Sequence, residues 1–434
     1  TKTMSFLLGP MRRHIDGHKE LTSHSDLLKV AAPDVVKIPL VNGAAPCNLI
    51  VKEGDKVKVG TKIAERGDHF YVPLFSSVSG TVKGTQKFMG AGLKPVEHLL
   101  IENDGLYEEE QSFAPLDYKS ATREELVDFM KNAGMVGCGG AGFPSYVKYG
   151  KVDGIELLII NAVECEPYIT ADYMNMTMHL DELATGVRAM FKMSGAKEAK
   201  LAIKVSHADF IPTLEGIFKD DENIKVVGVP DVYPMGWERT LVYELTGKRY
   251  ERLPGEVGCI VNNATTAISF GHALLTGMGI TEKVLTVSGD AVKEPHNCLV
   301  KVGTSAHDVI EACGGYAVED EVLLCAGGPM MGRTITTDIF SITTYSNALT
   351  VLKPNQFPPT KCLRCGRCSE HCPSGLQPVR INAAGKAADM ESLDKLNAML
   401  CIECGMCSYI CPSKIDVTEG VRRAKRLIQL KTKK

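Results

Sequence analysis

The chain has 434 residues, 44% of them hydrophobic and 23% charged, with a formal net charge of -3, enough material for about two to four domains. A balance this close to neutral excludes the basic excess expected of a nucleic-acid-binding protein. Fifteen cysteines, an odd number with eight of them between residues 362 and 411, exclude a secreted disulfide framework and point to a reduced, cytoplasmic protein that binds metal.

The opening stretch TKTMSFLLGPMRRHIDGHKE has a brief apolar run before Arg12, Arg13 and His14 and no small-residue cleavage site, so it does not read as a signal peptide. His14, His18 and His24 lie in a polar arm without accompanying cysteines, a pattern expected of solvated histidines rather than a metal site. The longest apolar run, residues 157 to 163, is broken by Asn161 and far too short to span a bilayer. Any membrane attachment is therefore expected to be peripheral, on the cytoplasmic face and through a partner.

Residues 35 to 101 form short runs rich in Val, Ile and Lys, broken by Gly-Asp and Ser-Gly turns, which predicts a small β barrel. The pair VKEGDKVKVGTKIAE and VSGTV resembles the biotinyl/lipoyl-like hybrid barrel. Its hairpin tip here reads ERGDHFYVP and has no lysine to modify, so a structural barrel is expected rather than a swinging-arm carrier.

From about Leu116 the pattern alternates. ATREELVDFMKNAG predicts an amphipathic helix closed by Gly134, ELLIINAV a buried strand, HLDELATGVRAMFKMSG a helix and KLAIKVS a strand, together an α/β layer with a parallel sheet. VLTVSGD, CLVKVG, HDVIEACGG and EVLLCAGG then read strand, strand, helix, strand, as in a β-grasp module, and LKPNQFPPT marks a linker. The expected division is a barrel-sandwich-hybrid-like domain over 1–115, an α/β domain over 116–255, a β-grasp domain over 256–350 and a ferredoxin-type domain over 351–434.

That last domain carries two copies of C-x2-C-x2-C-x3-C-P, Cys362, Cys365, Cys368, Cys372 and then Cys401, Cys404, Cys407, Cys411. In such runs three cysteines hold one [4Fe–4S] cluster and the fourth ligates the other, so the expected sets are Cys362, Cys365, Cys368 with Cys411, and Cys401, Cys404, Cys407 with Cys372. Structural zinc prefers two separated C-x2-C pairs and fits poorly. The 28 residues between the quartets look helical, longer than a compact β-type ferredoxin needs. The C-terminal segment KIDVTEGVRRAKRLIQLKTKK, with eight basic residues against two acidic, reads as a solvated helix end or as a docking element for an acidic partner or membrane surface.

A second constellation is Gly134-Met-Val-Gly137-Cys138-Gly139-Gly140-Ala-Gly142-Phe143-Pro-Ser-Tyr-Val-Lys148. Glycines let a backbone approach a phosphate closely, and Lys148 supplies a cation. The loop follows a helix rather than a strand, so it is not the Rossmann fingerprint. Asn161-Ala-Val-Glu164-Cys-Glu166 follows at the carboxyl end of a buried strand, where α/β sheets bind ligands.

Taken with YPMGWERTLVYELTG, LPGEVGCIVNNATTA and GGPMMG, these motifs resemble the RnfC family, which shares its flavin domain with the NADH-binding subunit of respiratory complex I. The resemblance covers nearly the whole chain. It implies non-covalent FMN held by Gly137, Gly139, Gly140, Gly142, Lys148, Asn161, Asn262, Asn263 and Thr265. It also implies NADH near Phe143, with Glu164, Glu166 and Glu238 about its ribose and amide. FMN takes a hydride and returns electrons singly, which suits a flavin between NADH and two one-electron centres.

Three departures from the family pattern stand out. MRRHIDGHKELTSHS replaces an N-terminal Gly-Gly-x-His-Pro element, Trp237 replaces a small residue, and Cys138 replaces an apolar one. A thiol among backbone N–H groups and near Lys148 is a candidate redox group beside the flavin, and a Cys138–Cys165 pair a further candidate. Cys138 also resembles RnfC-like soluble proteins that deliver electrons to proline reductase. The expected function is NADH-dependent electron transfer to a partner redox protein, either Rnf membrane subunits or an amino-acid reductase. The alternative is a non-catalytic iron–sulfur adaptor joining other redox proteins.

Overall fold

The computed structural model describes residues 13–432 except Ala141, Asn355 and Gln356, so the reading of residues 1–12 lies outside the described residues. Val35–Pro39, Pro95–Asn103, Gly80–Met89 and Lys56–Val57 form a four-stranded sheet. Asn48–Leu49, Lys62–Gly67 and Tyr71–Phe75 form a three-stranded one. Alternate residues Val36, Ile38, Ile63, Leu74, Val82, Leu99 and Ile101 turn inward and close the barrel's core. The lysine-free hairpin tip between Lys62–Gly67 and Tyr71–Phe75 exposes Gly67, Asp68 and His69, while Phe70 turns back onto the protein. Phe70 packs edge-on against Phe143, with ring centroids 5.6 Å apart.

The second layer is a parallel sheet in the order Ile224–Val229, Glu198–Lys204, Leu157–Ala162, Cys259–Asn263. Its inner strands, Glu198–Lys204 and Leu157–Ala162, are short and largely buried, as strands covered by helices on both faces must be. The helices Leu180–Ser194 and Ala264–Thr276 cross so closely that a Cβ on Gly186 or Gly271 would lie 1.8 Å from a carbonyl oxygen of the other helix. The predicted Arg123–Asn132 helix forms, its Thr122 and Glu125 closing a capping box. Because Cys259–Asn263 is the fourth strand of this sheet, the α/β layer runs past residue 255. The boundary expected there falls too early: that strand lies beside the first strand of the layer rather than beside its predecessor in sequence.

The β-grasp sheet has six strands, and one of them comes from the N-terminal arm: Leu28–Lys29 pairs in parallel with His296–Lys301. A buried network of Thr22, Thr170, Thr286 and Asn297 joins arm, α/β layer and β-grasp sheet. The ferredoxin-type domain is helical, with Pro378–Lys386, Met390–Lys395 and Val417–Thr432 packed around Ile381, Leu393, Val421 and Ala424. Among the described residues, no helix is long and apolar enough to cross a membrane.

Candidate functional site

The order of the parallel sheet reverses between Leu157–Ala162 and Cys259–Asn263, and the crevice beyond the carboxyl ends at such a point is where open α/β sheets bind ligands. Asn161 and Asn263 face each other there in register. Asn161 donates to the Gly236 carbonyl (2.8 Å) and accepts from the Val163 N–H (3.0 Å). Asn262 donates to the Tyr149 hydroxyl (2.5 Å). Asn263 caps the Ala264–Thr276 helix and donates to Asp172 (2.7 Å), which also accepts from Thr265 (2.6 Å).

The glycine loop lies over these strand ends. A Cβ at Gly139 would meet the Asn263 amide nitrogen at 3.4 Å, an ordinary contact, whereas one at Gly142 (φ 62°) would strike the Tyr345 ring at 2.9 Å, so Gly142 requires glycine. Lys148 stands on the short turn Ser145–Tyr149, its ammonium donating to the Val261 carbonyl (2.6 Å). Burial lowers its pKa and the facing Glu238 opposes that, while Glu238 accepts from the Tyr250 hydroxyl (3.0 Å). Glycine backbone, asparagine amides, a threonine hydroxyl and a buried ammonium form the donor set a phosphate and a polar flavin ring require, so the residues present fit FMN.

The two glutamates have different surroundings. Glu164 accepts from the Asp172 N–H (2.9 Å), and burial raises its pKa to about 7 against the pull of Lys19. Glu166 is raised to about 7 by burial too, but its carboxylate accepts from the N–H groups of Met330 (3.3 Å) and Met331 (2.6 Å), in the GGPMMG turn. That carboxylate fastens the α/β layer to the β-grasp turn.

The Cys138 side chain is likewise engaged within the protein. Its N–H donates to Thr266 (3.0 Å), and its thiol is buried in the core against the Val136 carbonyl (3.4 Å) and Ser269 (3.8 Å). Cys165 belongs to another cluster, beside Tyr233 and Met330, and both thiols are free, so the Cys138–Cys165 pair does not form. Phe143 is 41% exposed, its outer face open. Trp237 stands at the N-terminus of the Glu238–Thr246 helix with the Arg239 guanidinium 5.8 Å over its ring.

Four contributors escaped sequence reasoning. Lys19 sends its buried ammonium to the carbonyls of Glu164 (2.9 Å), Glu166 (2.8 Å) and Ile169, holding the turn after Asn161. Asp172 ties Asn263 to Thr265, as above. Asn42 donates to the Gly142 carbonyl (3.0 Å) and accepts from Arg66 (3.0 Å), and Phe70 braces Phe143. Only the polar spacing HKELT hinted at Lys19, and the others become neighbours through tertiary contacts alone.

Each cysteine quartet surrounds its own small cavity. Cys372, Cys401, Cys404 and Cys407 line one, and Cys362, Cys365, Cys368 and Cys411 the other. Burial pushes the Cys407 thiol up to about 12 and raises Cys372, Cys401 and Cys404 too, with neighbouring sulfurs adding to the effect at Cys372, Cys404 and Cys407. Thiols gathered this way ionise only around a cation, which fits an iron–sulfur centre. Backbone N–H groups of Glu403 and Arg364 reach the Cys401 and Cys362 sulfurs at 3.3 and 3.4 Å.

The inner quartet is docked. Tyr233 donates to the Cys404 carbonyl (2.5 Å), and Ile15, Tyr233, Met330, Cys404 and Met406 share one apolar cluster with Cys165. Arg422 and Lys425 pair with Glu403 at 3.1 and 2.6 Å, and Arg422 also donates to the Met331 carbonyl (3.0 Å). Part of the basic C-terminal helix is thus consumed inside the molecule. The outer quartet has Cys362 and Cys365 exposed.

Family models match in chain order: an RnfC barrel sandwich hybrid domain over residues 13–106, a Nuo51 FMN-binding domain over 130–272, an SLBB domain over 284–334 and a 4Fe-4S dicluster domain over 355–419. The cofactors are accordingly FMN and two [4Fe–4S] clusters. An NAD+-reducing [NiFe]-hydrogenase in the air-oxidised state superposes with a TM-score of 0.50 at 17% identity over 75% of this chain and 68% of that one, a likeness of fold. A subunit of the proton-translocating ferredoxin:NAD(+) oxidoreductase complex of Clostridium ljungdahlii is 33% identical, covering 86% of this chain and 83% of its own. Its Na(+)-translocating counterpart from Acetobacterium woodii is 34% identical over 89% of both chains. The corresponding component of the ion-translocating oxidoreductase complex of Rhodobacter capsulatus is 34% identical over 89% of this chain and 76% of its own. With the four domains in order and identity sustained across them, the chain belongs to the RnfC family, an electron-transfer oxidoreductase component.

Proposed function

We propose that this chain exchanges electrons between NAD(H) and a partner redox protein, as the NADH-linked subunit of an ion-translocating ferredoxin:NAD+ oxidoreductase complex. The observation that carries the reading is the pairing of Asn161 with Asn263 under the glycine loop, while the turn that follows Asn161 packs against the inner quartet. FMN, when bound, takes up a hydride and gives up its electrons one at a time, and the clusters carry single electrons.

The chain's own residues supply position and field. Gly137, Gly139, Gly140 and Gly142 let the backbone approach, Lys148 with Asn262, Asn263 and Thr265 holds the phosphate end, and Asn161 holds the ring. Phe143 offers a face to the nucleotide, and Glu164 and Glu238 are its acceptors. Cys401, Cys404, Cys407 and Cys372 form the inner ligand set, and Cys362, Cys365, Cys368 and Cys411 the outer one. The relatives' names support Rnf subunits as partners. Cys138, which suggested the proline reductase, has its thiol in the core and lends that reading no support.

Anaerobically purified protein is expected to release FMN on denaturation and to bleach on addition of NADH. Cys404→Ala should leave the bleaching of the flavin band intact and abolish reduction of a one-electron acceptor downstream. Cluster absorbance near the usual ferredoxin range without extractable FMN or NADH bleaching would make the chain an adaptor instead.

A further inference from the structure

The outer quartet lies in a surface with an excess of cations. Lys361, Arg364 and Arg367 are exposed around Cys362 and Cys365, and Leu363 stands among them, 69% exposed. Ser413 fastens a fourth cation beside them: its carbonyl accepts from the Thr360 N–H (2.9 Å) and its hydroxyl donates to the Lys361 carbonyl (3.0 Å), which sets exposed Lys414 near Lys361 along the backbone. Exposed Arg380 follows Val379, which lines the same cavity. Two exposed acids lie among them: Asp416 accepts from two neutral donors, Ser408 (3.1 Å) and the Glu419 N–H (3.2 Å), and a Glu370 carboxylate oxygen lies 4.0 Å from where a Cβ on Gly366 would stand, so the cations outnumber the acids five to two. Five cations gathered on a chain of net charge -3 are a local excess that the overall composition does not predict.

The inner quartet offers a contrast. There Arg422 and Lys425 are neutralised by Glu403, and the surface is covered by the β-grasp turn and Tyr233. Cations are consumed where the quartet meets its own chain and displayed where it meets solvent. A cationic rim around an apolar centre fits a partner with an acidic rim, whose approach it would steer and orient.

We propose that Lys361, Arg364, Arg367, Arg380 and Lys414, with Leu363 at their centre, form the docking surface for an acidic one-electron carrier protein. The inference rests on the electron-transfer reading above.

The test measures binding of a small acidic two-cluster ferredoxin to the intact holoprotein by calorimetry, with basic cytochrome c and anionic phosphatidylserine vesicles as comparison probes. Affinity for the ferredoxin should fall more than about tenfold from about 0.01 M to about 1 M salt, where the screening length contracts from about 30 to about 3 Å. R364E/R367E should lose about tenfold at low salt, and K414E, which lies outside the ligand runs, should lose affinity in the same direction. K87E/K94E, on the barrel, should bind like the parent.

Unchanged binding in both K414E and R364E/R367E overturns the proposal, and so does an equal loss in K87E/K94E, which would make the effect one of general charge. Vesicle binding without ferredoxin binding overturns it in favour of a lipid surface. If NADH fails to bleach the parent protein while ferredoxin binding behaves as expected, the nucleotide reading fails and the docking surface stands.

Discussion

At Glu164 and Glu166, burial opposes ionisation, and both hold their protons up to about pH 7 against an ordinary value of 4.5. Between those limits the folded chain binds more protons than the unfolded one. The stabilisation is complete below pH 4.5 and is lost as the pH rises through about 7. Each group changes stability by at most about 1.4 kcal/mol per pH unit in that interval. Glu166→Gln cannot ionise but keeps one oxygen to accept from Met330 or Met331. Denaturant unfolding followed from about pH 5.5 to 7.5 is expected to give it a flatter pH dependence than the parent, and an identical slope would mean Glu166 does not titrate there.

The barrel hairpin, whose lysine-free tip reads as part of a structural barrel, also reaches the candidate site. In a carrier its tip presents a lysine to solvent. Here Arg66 lies 5.1 Å over the Phe70 ring, Asp68 fixes Arg66 at 2.7 Å, and Phe70 braces Phe143 edge to face. Such a ring pair is worth about 0.5–1.5 kcal/mol. If Phe143 meets the nucleotide as proposed, Phe70→Ala is expected to raise KM for NADH by about three- to tenfold while kcat and FMN content stay unchanged, and Phe70→Tyr to restore KM. A fall in kcat with an unchanged KM would detach the hairpin from nucleotide binding.

Local signals made the predicted elements legible. The Arg123–Asn132 helix announces its own cap, and the quartets announce their partners by spacing, because both depend on residues within a few positions. The domain boundary at 255, the anchoring role of Glu166 and the buried thiol of Cys138 were not legible. Each depends on which distant segment arrives alongside: a fourth strand beside the first, a β-grasp turn, and the Ala264–Thr276 helix.

Across the whole molecule the two quartets differ in access more than in sequence. Cys362 and Cys365 are exposed, whereas Cys404 and Cys407 are buried. An anaerobic challenge with an iron chelator is expected to strip the outer set first, leaving protein that still bleaches with NADH and shows the signal of a single cluster type by EPR. Simultaneous loss of both signals would show that the ferredoxin-type domain opens as one unit.

The N-terminal arm carries a cost in time. The Thr22 carbonyl accepts from Asn297, 275 positions away, and Leu28–Lys29 joins a sheet whose partner strand begins at His296. At a synthesis rate of about 5–20 residues per second the arm waits roughly 15 to 55 s on the ribosome before its strand has anything to pair with. Its closure spans the longest loop among these contacts, so high contact order makes it a late folding step. Until then the Lys19 ammonium and the carbonyls it will bridge are solvated separately, and the turn at the centre of the flavin site takes its final shape only when this strap closes.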